Sequence, residues 1–147
     1  DFVWPEGFMT PSSDMSPIPE QNMDYLTRIA DLCKKREIPL VLITTPVGTW
    51  DYAQHNAIQY VADVLGAPYL DYNMPELIAA SGILDTEDFH YNQWHLRVTG
   101  ADKLSVHLGK FLAETYHLPD HRDDAAYSAW YEDLAQYVEL KSTYNLP

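Results

Sequence analysis

Between Thr86 and Ala101 the chain reads T-E-D-F-H-Y-N-Q-W-H-L-R-V-T-G-A, which gathers Asp88, His90, Asn92, Trp94 and His95 into one short segment. These side chains can move a proton, orient an imidazole or stack on a ligand. Thr99 followed by Asp102 is a capping-box pattern, and Ala101, Leu104, Leu108, Phe111 and Leu112 recur after it at helical spacing. His95 is therefore predicted on a loop just ahead of a buried helix, where a rigid scaffold fixes a side chain and leaves it open to substrate. The structural alternative is that Asp88 and His95 only bond loop backbone, and that Trp94 anchors the loop from beneath.

Asp88, His90 and His95 are also hard or borderline metal ligands close in sequence. Their spacing matches no standard zinc motif, so neither a metal site nor a cofactor is expected. A nucleophile is equally hard to find: there is no G-x-S-x-G elbow, P-loop, H-E-x-x-H or G-x-G-x-x-G, and no serine lies in a glycine-rich turn.

The elements that must position this segment follow from pattern. Pro5, Pro11, Pro17 and Pro19 make residues 1–21 an extended lead-in. Asn22 is a candidate cap for a helix from Met23 to Arg36 with Leu26, Ile29, Ala30 and Cys33 on one face, Cys33 as a small buried thiol. The run Leu40 to Thr45 is continuous, apolar and β-branched, as in a parallel strand covered on both faces. Asp51 caps a second helix that ends at Gly66, and a second strand follows from Pro68 to Tyr72. A short helix from Pro75 to Ala80, the central segment and a helix to Tyr116 complete residues 22–118. Residues 119–147 form a helical extension, Asp123 to Tyr144, whose stripe of Tyr127, Trp130, Tyr131, Leu134, Tyr137 and Val138 reads as packing surface.

Helix and strand alternate as in βαβ units, which predicts an α/β fold with an open parallel sheet. Two strands are marginal alone, so earlier strands are expected to be absent from this chain, with an unpaired edge that invites a second copy of itself. The chain begins at Asp1 and is read as a piece of a longer product. A net charge of −13 disfavours nucleic acid and anionic membrane surfaces as partners. No segment approaches the roughly 18 apolar residues of a membrane span.

The pattern D-F-x-x-N-x-x-H-L-x-x-x-G-A-x-K-L, Asp88 to Leu104, resembles the C-terminal catalytic block of SGNH/GDSL-type hydrolases. The nearest likeness is the cell-surface branch of polysaccharide O-acyl esterases and D-alanyl-transfer proteins. Residues Tyr25 to Pro46 and the pair Leu70-Asp71 extend the similarity. The resemblance implies the C-terminal part of a three-layer α/β/α, flavodoxin-like sheet, an extracellular or cell-surface location, and an acylated carbohydrate as substrate. It makes His95 the general base toward a serine in an N-terminal half that the chain does not contain, so the chain alone is expected to be inactive. Trp94 and His90 would then line the substrate site.

Two positions depart from that pattern. Asn92 stands where the family usually has aspartate, and Arg97 where asparagine is common. An amide orients the imidazole but cannot stabilise the imidazolium, and the analogous swap in a serine protease costs about 10⁴ in rate. Asp88 is the other candidate for that charge. The competing expectation is a non-catalytic SGNH-like domain that binds glycan or a partner protein.

Overall fold

The computed structural model describes residues 2–92 and 94–143; Asp1 and Tyr144, the predicted ends of the lead-in and of the last helix, lie outside these. The elements in chain order are α1 (Glu20–Lys35), β1 (Leu42–Thr44), α2 (Tyr52–Leu65), β2 (Tyr69–Asp71), α3 (Pro75–Ser81), α4 (Asp85–Asp88), α5 (Val98–Tyr116), a 3-10 turn (Ala125–Tyr127) and α6 (Ala129–Thr143).

The three-layer α/β/α sheet does not form. The described chain is 55% helix and 6% strand, with two strands paired in parallel. Leu42 pairs with Tyr69, Ile43 with Leu70 and Thr44 with Asp71. An apolar run signals a strand, but neither its burial nor how many neighbours it has. Here Leu40, Val41 and Leu42 are only half-buried and Ile43 is exposed. The β1–β2 pair is a minor element in a mostly helical molecule. Helix α2 lies against β2, α1 against α2, and α5 against α3 and α4.

Local chemistry sets α2 as expected. The Asp51 carboxylate accepts from the Gln54 N–H at 2.8 Å, and the Gln54 side chain accepts from the Asp51 N–H at 3.1 Å, a full capping box. Gly66 closes the helix at φ 67°, a left-handed turn natural to glycine. Helix α1 instead starts three residues before its predicted boundary, on Pro19, with Asn22 inside the first turn. None of its residues is buried, and Cys33 is half-exposed rather than sealed.

The predicted lead-in contributes to the core. Phe2 and Met9 are buried, and Phe2, Trp4 and Phe89 meet with ring centroids 4.9 to 5.0 Å apart beside Ile83, Leu96 and Leu104. The Trp4 N–H also donates to the Asp85 carboxylate at 3.2 Å. The aromatic stripe of α6 goes the other way: Trp130 is 71% exposed, and Leu134 and Val138 are also open to solvent. Helix α6 is tied to α5 mainly through Asp102, which accepts from Lys141 and from the Tyr137 hydroxyl, both at 2.7 Å. Those two donors hold the Asp102 carboxyl below its usual range.

Candidate functional site

The segment from Phe89 to Arg97 is a pinned loop. Phe89 and Leu96 form an antiparallel bridge, the His90 N–H donates to the His95 carbonyl at 3.0 Å, and the Arg97 N–H donates to the Asp88 carbonyl at 2.7 Å. The core rings hold Phe89 in place beneath it.

Asp88 locks the base of this loop. Its carboxylate is fully buried and accepts from the Leu84 N–H at 2.7 Å and the Lys103 ammonium at 2.6 Å. Gly100 completes the fit, since a Cβ there would stand 2.8 Å from both the Cβ and the carbonyl oxygen of Asp88. Burial opposes ionisation of Asp88, but the Lys103 ammonium and the Leu84 amide outweigh it and hold the carboxyl below its usual range. Three residues of the quoted pattern, Asp88, Gly100 and Lys103, thus meet as one packing unit. The same unit moves the start of α5: Arg97 is its N-terminal boundary, and Thr99 lies inside the first turn. The predicted Thr99–Asp102 capping box is absent, and Asp102 serves α6 instead.

Above the lock, His90, Tyr91, Asn92, Trp94 and His95 all lie exposed. The structure therefore brings four of the five predicted site residues to one tip, with Asp88 sealed below and committed to Lys103. Asn92 is also occupied: its side-chain oxygen accepts from the Trp94 N–H at 3.2 Å, a local turn rather than an imidazole support. Among the described residues, no group bonds to the His95 ring. Tyr91, at 85% exposure, and Trp94, at 60%, flank Asn92 on this tip.

A second constellation escapes linear reading. At the carboxyl end of β2, Asp71 is buried and its Oδ2 lies 2.8 Å from Nδ1 of His55, while Trp50 Nε1 donates to the same oxygen at 3.1 Å. Oδ1 accepts from the backbone and side-chain nitrogens of Asn73 at 2.9 and 2.8 Å. The available signal was a D-x-N at the end of a predicted strand and a histidine one turn after the Asp51 cap. Neither reveals that the two converge.

A cavity of about 880 Å³ opens between α5 and α6, lined by Ala113, Leu118, Trp130, Tyr131 and Leu134 among others, and by none of the predicted site residues. Among the described residues, no three His, Cys, Asp or Glu side chains are grouped to hold a metal ion, and no helix is long and apolar enough to cross a membrane. Comparison with protein-family models, with curated proteins and with solved structures gives no match.

Proposed function

We propose that the tip formed by His90, Tyr91, Asn92, Trp94 and His95 binds a neutral, hydroxyl-rich ligand of the carbohydrate class. The observation that carries this reading is the pair of exposed rings, Tyr91 and Trp94, on a loop whose base is locked by Asp88 and Lys103. Aromatic faces take the apolar face of a sugar ring, and an amide and two imidazoles supply donors and acceptors for its hydroxyls. A net charge of −13 turns the choice away from anionic ligands. Isothermal titration of the protein with O-acetylated and de-acetylated polysaccharide tests it. Saturable binding is expected, weakened about tenfold by Trp94→Ala, which corresponds to the loss of about 1.4 kcal/mol of stacking and burial. Absence of binding to either polymer would remove the reading.

A second reading is favoured by the exposure of His95. In it, the same tip belongs to an O-acyl esterase or acyltransferase in which His95 takes the proton of a serine supplied from elsewhere in a longer polypeptide, as in the SGNH-type hydrolases. With Asp88 and Asn92 both occupied, such a base works without a carboxylate behind it, which ranks this reading second. Intact mass of the complete natural protein after fluorophosphonate treatment separates the two. A serine adduct that His95→Ala abolishes supports the acyl-transfer reading, and no adduct leaves binding alone.

A further inference from the structure

We infer that His55, positioned by Asp71, is a proton-accepting site for hydrolysis of small carboxylic esters, distinct from the loop that carries His95. Among the described residues, Trp50 and Asn73 donate N–H groups to the two Asp71 oxygens and the Tyr69 hydroxyl lies close enough for the carboxylate to raise its pKa, so Oδ2 is an acceptor and His55 presents Nδ1 as N–H. That tautomer leaves the lone pair on Nε2. Among the described residues, nothing bonds to Nε2.

The imidazole is held from two sides. The Tyr69 ring stacks on it at 5.6 Å and the Tyr52 ring lies at 5.2 Å, while the Tyr69 hydroxyl is itself bonded to Thr44 Oγ1 at 2.7 Å. The His55 side chain is 14% exposed and Asp71 1%, so the dyad is shielded from water but the ring is not sealed. Both parallel strands end beside the dyad, at Thr44 and Asp71. Trp50 and Tyr52, which touch the dyad, also line a cavity of about 260 Å³ between the turn Pro5–Thr10 and the loop from Gly48. That volume is below the range of drug-sized ligand sites and suits a short acyl chain.

The step balances without any further reagent. Nε2 takes a proton from water as the water oxygen attacks the ester carbonyl. The carbonyl carbon then releases the leaving oxygen with its electron pair, and the imidazolium returns the proton to that oxygen. Asp71 keeps accepting from Nδ1 and so stabilises the imidazolium. The products are one carboxylic acid and one alcohol.

The test is hydrolysis of p-nitrophenyl acetate by the full chain. His55→Gln is expected to lower the rate about 10²-fold, the low end for a positioned base, whereas His121→Gln, at a histidine paired with Asp124 and outside both sites, leaves it unchanged. Asp71→Asn is expected to lower kcat with KM unchanged, together with loss of the far-downfield Nδ1–H proton resonance. Diethyl pyrocarbonate treatment of the unaltered protein covers the case in which His55→Gln fails to fold: loss of hydrolysis should track modification of His55 rather than of His90 or His95, and hydroxylamine should restore it. Equal rates in folded wild type and His55→Gln, a rate that follows His95, or inactivation that tracks another histidine would each overturn the assignment. Because sugar binding does not enter this assay, its outcome is independent of the carbohydrate binding proposed for the tip, and a rate that follows His95 would point to the acyl-transfer reading instead.

Discussion

The loop above Asp88 and the dyad at the end of β2 hold the same residue types in opposite arrangements. In the loop, histidines, an amide and a carboxylate are neighbours in sequence, yet the carboxylate turns inward to Lys103 and leaves the imidazoles in water. At the strand ends, His55 and Asp71 lie 16 positions apart and meet at 2.8 Å. Closeness in sequence therefore marks the place where a carboxylate builds the loop, and convergence through the fold marks the place where one orients a base. The first region presents imidazoles with no carboxylate behind them, whereas the second holds one against its carboxylate.

The largest break in this comparison should come from Lys103→Met. It leaves the fully buried Asp88 carboxylate without its cation, and removal of one partner from such a pair costs about 3 kcal/mol, measurable by urea denaturation. The acid limb sharpens the point. Because the folded-state pKa of Asp88 is lowered, its contribution is present above the unfolded-state value near 4 and is lost as pH falls through the lower folded value. Wild type should lose stability below about pH 4, and Lys103→Met should show a shallower loss over that window.

Gly100→Ala is next. Helix propensity favours alanine by about 1 kcal/mol, but the new methyl would meet Asp88 at 2.8 Å, and overpacking of this kind costs about 2 kcal/mol. Net destabilisation in thermal melts is the expected sign; a gain would show that the loop base can yield. Asp51→Ala, beside the dyad, should cost about 1 kcal/mol through the lost cap and leave the Asp88 lock intact. The smallest effect belongs to Trp94→Ala, within about 0.5 kcal/mol of wild type in the same melts, because its ring stands in solvent. A larger loss there would make Trp94 an anchor rather than a ligand-facing ring.

What the linear pattern could encode was decided within a few residues. Asp51 with Gln54, and Gly66 at a left-handed turn, were legible because both partners of each bond lie within one helical turn. Thr99 with Asp102 has the same local pattern and fails, because the close approach of Gly100 to Asp88 moves the helix start to Arg97. The run Leu40 to Thr45 signals a strand but not its number of neighbours, so the pattern alone implies a larger sheet than the two strands that pair. Phe2 was hidden in a proline-rich stretch that otherwise reads as irregular chain, although its ring joins Phe89. At the candidate site, four exposed residues of the tip were found together. The committed state of Asp88 was invisible, since Lys103 also fits a helix surface. Nothing along the chain connects His55 to Asp71, because only the β1–β2 pairing and the packing of α2 bring them together.

The Asp88–Lys103 pair closes a ring of chain whose ends lie 15 positions apart. Closure entropy rises only logarithmically with ring size, so a doubling of the enclosed segment costs about 0.6 kcal/mol. The tip is thereby insulated from the rest of the molecule: insertions between His90 and His95 are cheap so long as Asp88, Gly100 and Lys103 remain. The same clasp that removes a carboxylate from the chemistry makes this loop the natural place to accept new sequence, by divergence or by grafting.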